Sequence, residues 1–352
     1  MPKPHTIATG AEPGFPRGTA LPVQGDSHAQ AVGAAPAVSP VAAPVASGSA
    51  HAKVILFGEH SVVYGHTAVA LPMFNLRMQA RAWRTADAAR FESAYYTGEF
   101  RHAPDFMAAP RAAVEAVLEQ VGGQLDGMSV SVGGTIPLGR GLGSSAAAAG
   151  AIVDAVARLH GAELSETERF NLVQVAERVA HGRASGLDAY ATTVAHPIRF
   201  RNGLAAVLPM RLSGRLIVAD TGVHGSTWQA VEMVRSLRER FRRRVDRVIE
   251  ELGTLAEAAV TDLAHNQIVP LGGRMNRAQE LLEQLKVSHP SIDRLVGVAR
   301  RAGALGVKLT GAGLGGCVVA LAHADSVDTI VQALQEAGAA QTWTLTEAGA
   351  AA

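Results

Sequence analysis

The chain has 352 residues, with 32 basic and 31 acidic side chains, 37 glycines, one cysteine, 48% hydrophobic and 5% aromatic residues. Balanced charge excludes non-specific nucleic-acid binding, which needs a basic face to displace counterions. A lone Cys317 excludes an internal disulfide and a thiolate zinc site and makes a reducing cytoplasm the expected compartment, and no charge-free apolar run reaches the roughly 18 to 20 residues needed to span a bilayer.

The first 50 residues read as a disordered Ala/Pro-rich tail. From Ser27 to Ala50 there is no charged side chain, and prolines at 36, 40 and 44 break helices and remove ladder donors. The start lacks the continuous apolar region of a signal peptide. The folded part is expected from His51, where Ala52–Gly58 reads as a buried strand and a turn. Thr67–Leu71 and Leu76–Trp83 predict further strands, the second with apolar residues at alternate positions. Val114, Val117, Leu118 and Val121 share one face of a helix over 108–121, and Met128–Val132 is a period-two strand. Helices are predicted over 146–160, 166–180, 228–251, 253–271, 275–285, 292–302 and 328–338. Strands are predicted at 215–219, 307–310, 317–322 and 341–345. Irregular alternation with amphipathic strands favours α+β over a doubly wound parallel sheet. The charged helix around 235–251 reads as a solvated face, with a homodimer surface as the alternative.

Four segments carry candidate chemistry. Pro137–Ser145 (PLGRGLGSS) places Gly139, Gly141 and Gly143 before two serines and a strong helix former. Glycines let a backbone approach a ligand, and the unpaired N–H groups of a helix start attract phosphate. The spacing is neither the Walker pattern, which requires a lysine after the last glycine, nor a Rossmann fingerprint. A glycine turn with a serine N-cap accounts for the segment equally well. Glu177 and Asp188, joined by a glycine-bearing link, suit a divalent cation plus a proton acceptor. One solvated helix carboxylate and one helix-capping aspartate is the plainer account of that pair. Lys53 lies in an apolar strand, where a charge is costly unless paired, although it could also snorkel at a sheet edge. His60 follows in Gly58-Glu59-His60 and alone reads as a structural histidine. Finally, Lys308–Cys317 (KLTGAGLGGC) is a glycine loop between two strands, with Cys317 expected to be buried and inert.

In this order the segments resemble the GHMP small-molecule kinases over about residues 51–350. PLGRGLGSSAA resembles the signature loop of that superfamily, and KLTGAGLGGC its third motif. Within it, AKVILFGEHSVVYGHTAVALP, ERVAHGRASGLD and ADTGV are most similar to the mevalonate kinase family. The resemblance implies an α+β fold of two domains. One is ribosomal-protein-S5-like over 51–212, and the other is a ferredoxin-like α/β plait over 213–350. It further implies ATP and Mg²⁺ with mevalonate as acceptor, phosphorylated on its 5-hydroxyl for isoprenoid synthesis, and no nucleic-acid or membrane partner. Asp188 would accept the hydroxyl proton and Lys53 would pair with it. Ser145 and Glu177 would hold Mg²⁺, while Gly139, Arg140, Gly141, Leu142, Gly143, Ser144 and Ser145 would wrap the phosphates. His60 and Thr221 would face mevalonate. Another GHMP kinase, acting on phosphomevalonate or on the 3-hydroxyl of mevalonate, is the alternative. A phosphorylated acceptor would need a basic cluster, for which the sequence offers Arg77, Arg199 and Arg201. A non-catalytic ATP-binding relative is disfavoured by intact Lys53, Glu177 and Asp188.

Overall fold

The computed structural model describes residues 44–182 and 184–345. Most of the expected tail, residues 1–43, lies outside the described residues. Its last part is not a tail: β1 runs over Val45–Phe57 and so begins ahead of the expected folded start at His51. It pairs antiparallel with β2 (Ala68–Arg84), from Val45 opposite Trp83 to Phe57 opposite Val69. The charge-free text VASGSA has a packing reason. A Cβ on Gly48 would lie 2.1 Å from the carbonyl oxygen of Ala151, so only a residue without a side chain fits under α2 (Ser144–Leu159). The two strands expected at 67–71 and 76–83 are one strand. A register shift opposite His51 and Ala52 absorbs the irregularity between Met73 and Arg77.

Residues 78–84 of β2 pair with β5 (Met128–Gly134), and residues 68–70 with β6 (Ile198–Arg201). The sheet continues from β5 to β3 (Arg90–Glu92) and β4 (Thr97–Glu99), and from β6 to β7 (Leu204–Val207). These short pieces lack a clear period, and the sequence reading omits them. The helices α1 (Ala108–Val121), α2 and α3 (Glu166–His181) pack together, and α2 also covers β1 and β2. A reciprocal capping box between Ser165 and Glu168 starts α3. The short α4 (Leu187–Ala191) follows a left-handed Gly186.

The second sheet contains β8 (Arg215–Asp220), β9 (Gly306–Thr310), β10 (Cys317–Ala322) and β11 (Gln341–Leu345), in the order β11-β8-β10-β9. All its pairings are antiparallel. The helices α5 (Thr227–Arg240), α6 (Arg242–Ala264), α7 (Ile268–Gln284) and α8 (Pro290–Arg301) connect its first two strands, and α9 (Val327–Glu336) connects its last two. This is the β-α-β-β-α-β order of a ferredoxin-like plait. One predicted helix, 228–251, is instead broken at Phe241 (φ −133°, ψ 48°), and α6 continues through Gly253 to Ala264. Gly253 looks like a boundary in sequence, but it sits inside α6 because a Cβ there would meet the His66 ring at 2.4 Å. The sheets change over between β7 and β8; most buried apolar residues of both form one core, while Ile55, Ala68, Ala70, Leu187, Ala191, Ile198 and Phe200 pack as a separate cluster.

Candidate active site

Lys53 sits in the buried run of β1 and is 1% exposed. A lone ammonium there would be costly. Its Nζ lies 3.0 Å from Asp188 Oδ1 and donates to the Gly141 carbonyl at 3.0 Å. Asp188, in the first turn of α4, keeps a side-chain exposure of 37% and faces a cleft. Glu177, near the end of α3, lines the same cleft and is buried. Burial first, then the charge of Asp188, pushes its carboxyl up to about 7, against a hydrogen bond from the Ser145 hydroxyl and the charge of Lys53. Its Oε1 has no hydrogen-bond partner, and its Oε2 is 3.9 Å from His181 Nε2.

The glycine loop reaches this cluster from above. Gly139, Gly141 and Gly143 all have positive φ, at 65°, 75° and 77°. Gly143 is the N-cap of α2 and no side chain caps the helix, so Ser144 and Ser145 lie inside its first turn rather than capping it. The first-turn N–H groups thus stay available to an anion. Leu142 is fully buried and its carbonyl accepts from Lys53 N at 3.0 Å, which ties the loop to β1. Arg140 points elsewhere: Nε is 2.9 Å from Asp220 Oδ1 and Nη2 donates to the Gly222 carbonyl at 3.1 Å. The second glycine loop, 311–316, lies back to back with the first. A Cβ on Gly141 would be 2.9 Å from Thr310 O, and one on Gly311 would be 2.8 Å from the Gly141 Cα.

At the other end of the cleft, His60 adopts φ 61° and its Nε2 is 2.9 Å from the Ala312 carbonyl. A carbonyl only accepts, so Nε2 carries the proton. Burial lowers the pKa of His60 to about 4, so the ring is neutral at neutral pH. Beside it, Glu59 and Lys308 form a fully buried ion pair. Thr221 does not line the cleft: its hydroxyl donates to Gly316 O at 2.7 Å and accepts from Val223 N at 3.2 Å. Its place is taken by Thr227 and Val231 on the first turns of α5, together with Gln174, Val62 and Val63. In the sequence only the Ser226-Thr227 start of a helix marks Thr227, whereas Thr221 stands directly after β8. Cys317 is buried, and burial followed by the charge of Asp220 raises its thiol well above the usual range, as expected for an inert cysteine.

The cleft has a cavity volume of about 100 Å³ and opens to solvent, narrower than the roughly 300–1,000 Å³ of a formed small-molecule site. A carboxylate facing an ammonium, an uncapped helix start and a buried carboxyl with a free oxygen suit the transfer of a phosphoryl group to an alcohol. The free Glu177 oxygen and the Ser145 hydroxyl are hard donors that fit Mg²⁺. Among the described residues no group of three or more His, Cys, Asp or Glu could hold a metal, so most of the coordination shell would come from phosphate and water, as Mg²⁺ prefers.

Residues 108–196 match the family model of the GHMP kinases N terminal domain, and residues 259–340 that of the GHMP kinases C terminal domain. The mevalonate kinase of Thermococcus gammatolerans is 37% identical over 296 residues, covering 78% of this chain and 88% of that protein. The mevalonate kinase of Pyrococcus horikoshii is 36% identical over 295 residues, with the same coverage. The crystal structure of L. major mevalonate kinase in complex with R-mevalonate superposes with a TM-score of 0.73 at 28% identity, covering 87% of this chain and 97% of that one.

Proposed function

The chain belongs to the mevalonate kinase family of the GHMP kinases, and we propose that its cleft transfers the γ-phosphoryl group of ATP to the 5-hydroxyl of mevalonate. The observation that carries this reading is the Lys53–Asp188 pair at 3.0 Å, set in the cleft between Glu177 and the glycine loop at the start of α2. Asp188 accepts the proton of the acceptor hydroxyl as its oxygen bonds to the γ-phosphorus and the bond to ADP breaks. Lys53 holds Asp188 in place and brings positive charge to the transferring group. The open N–H groups of α2 bind the phosphates, with Gly139 to Gly143 bringing the backbone close. Ser145 and Glu177 would hold Mg²⁺, which neutralises phosphate charge when bound. His60 and Thr227 border the acceptor end, where the neutral His60 offers Nδ1 as an acceptor for a hydroxyl.

A phosphorylated acceptor is the weaker reading. Arg199 and Arg201 are both committed to Glu257, at 2.8 and 3.4 Å, and none of the described residues lining the cleft is an arginine. Among the described residues no helix is long and apolar enough to cross a membrane. Two water-soluble anionic substrates and a buried lone thiol support action in the cytoplasm. A coupled assay of ADP release with mevalonate, phosphomevalonate, homoserine and galactose tests the assignment. Release with another acceptor and none with mevalonate overturns it.

A further inference from the structure

One buried charged pair has no part in the transfer just described. Glu59 and Lys308 are 1% and 0% exposed at their side chains and in direct contact, and Lys308 Nζ also donates to Leu309 O at 2.7 Å. Glu59 lies inside the first motif, AKVILFGEHSVVYGHTAVALP, directly before His60, and Lys308 lies on β9, shortly before the second glycine loop begins at Gly311. Two further bonds join β1, just ahead of Glu59, to β9: Thr310 Oγ1 donates to Ile55 O at 3.0 Å and accepts from Ile55 N at 3.1 Å.

His60 between these anchors is a non-glycine residue in the left-handed region, at φ 61°. Such a backbone persists only where its surroundings hold it on both sides. On one side the hold comes from the short turn that follows, in which Ser61 Oγ donates to Gly58 O at 3.3 Å and Val62 N to Gly58 O at 3.0 Å. Ahead of His60 it comes from Glu59, and at the ring tip from Ala312, which sits on the loop that Lys308 leads into. Both ends of the His60 side chain thus depend on the spacing that the Glu59–Lys308 contact sets. Asp188 and Glu177 lie on other elements; Lys53 lies on β1 and its charge reaches both Glu59 and Lys308, but its own side-chain contacts are to Asp188 and the Gly141 carbonyl, not to the pair.

We propose that Glu59 and Lys308 are a positioning pair that locks the first motif to the third and so aims His60 at the acceptor. This rests on the reading that His60 borders the acceptor end of the cleft. The cost of burying two charges is then spent on the geometry of one residue, a use for buried ion pairs beyond stability. Glu59→Gln keeps shape and one acceptor oxygen but removes the charge. It is expected to raise the KM for mevalonate about tenfold, equivalent to ~1.4 kcal/mol, while the KM for ATP stays within about twofold.

A merely structural pair would lower the melting temperature and leave the KM of the folded protein unchanged. The test is therefore a cycle with His60→Ala, read as mevalonate KM, ATP KM and kcat. In the His60→Ala background, Glu59→Gln is expected to add nothing to the mevalonate KM. Glu59→Gln/Lys308→Met, which removes both charges, gives the same readout if the single variant does not fold. An unchanged mevalonate KM in both variants, an effect that adds in full to that of His60→Ala, or an equal rise in ATP KM overturns the proposal. Failure of the unaltered protein to phosphorylate mevalonate overturns the reading beneath it instead.

Discussion

Two lysine–carboxylate pairs sit near one cleft, and they differ in exposure. In the first, Lys53 is buried but Asp188 is 37% exposed; in the second, Lys308 and Glu59 are 0% and 1% exposed. Water reaches Asp188, so its charge is partly solvated and free to meet a substrate. Glu59 has no such access except along the cleft wall. A half-open pair therefore suits chemistry, and a closed one suits architecture. Removing one partner of a closed pair leaves an uncompensated buried charge, which costs about 3–5 kcal/mol, whereas a screened pair is worth far less to stability.

The largest expected effect separates the two pairs by activity. Asp188→Asn should lower kcat by about 10²- to 10⁴-fold, the usual contribution of a positioned general base, and leave ATP binding close to that of the parent; the buried Lys53 loses its counter-charge and keeps the Gly141 carbonyl, so stability should fall, but by less than when the closed pair is broken. Calorimetric ATP titration and single-turnover ADP release measure both; an Asn variant with substantial turnover would remove Asp188 from the role of base. The second effect runs the other way. Lys308→Met should cost about 3–5 kcal/mol in urea unfolding, because Glu59 already has one oxygen without a partner and would lose its counter-charge. If Lys308→Met proves as stable as the parent, the contrast between the closed and open pairs fails.

The glycine loops extend the same contrast to the backbone. Gly141→Ala should cost at least ~1 kcal/mol, from a left-handed φ of 75° and a Cβ placed 2.9 Å from Thr310 O. Gly182→Ala, at φ 70° but with nothing within 4 Å, carries the conformational penalty alone. Equal losses in the two variants would mean that the loops do not press on each other.

These loops also mark where the sequence was readable. The order of the chemical segments, α1 over 108–121 and β10 over 317–322 were legible, because glycine clusters and apolar periods are local signals. The partners of the glycines were not. The residues suggest a backbone opened towards a ligand, yet Gly141 and Gly311 also make room for each other across 170 residues of chain. The same limit explains Gly48 and Gly253, which look like a tail and a helix end but are contact points with α2 and His66. It also explains Thr221, whose hydroxyl is consumed by Gly316, a neighbour no local pattern names. Residue types alone favoured a solvated carboxylate and a capping aspartate for Glu177 and Asp188, and only the family resemblance paired Asp188 with Lys53; pairing across the fold likewise decided which carboxylate Lys308 meets.

The smallest expected effect is a cancellation between the two ends of the cleft. Glu177 has a folded pKa of about 7 against an ordinary 4.5, so the folded protein holds a proton that the unfolded chain releases. Its stabilising contribution is complete below about pH 4.5 and is lost as pH rises through 7. His60 has a folded pKa of about 4 against 6.5, so the unfolded chain binds the extra proton. Its contribution is complete above about pH 6.5 and is lost as pH falls through 4. Each slope is at most ~1.4 kcal/mol per pH unit, and between about pH 4.5 and 6.5 they oppose one another. The ligand-free parent should therefore show little pH dependence from this pair of groups in that window. Glu177→Gln removes one slope and leaves the other, so its stability relative to the parent should climb with pH from about 4.5 to 7. Urea unfolding of both proteins at half-unit steps reads this difference directly. A difference that stays constant across the window would mean that Glu177 is not held protonated by its burial, and that the unpartnered oxygen in the cleft meets water rather than waiting for a cation.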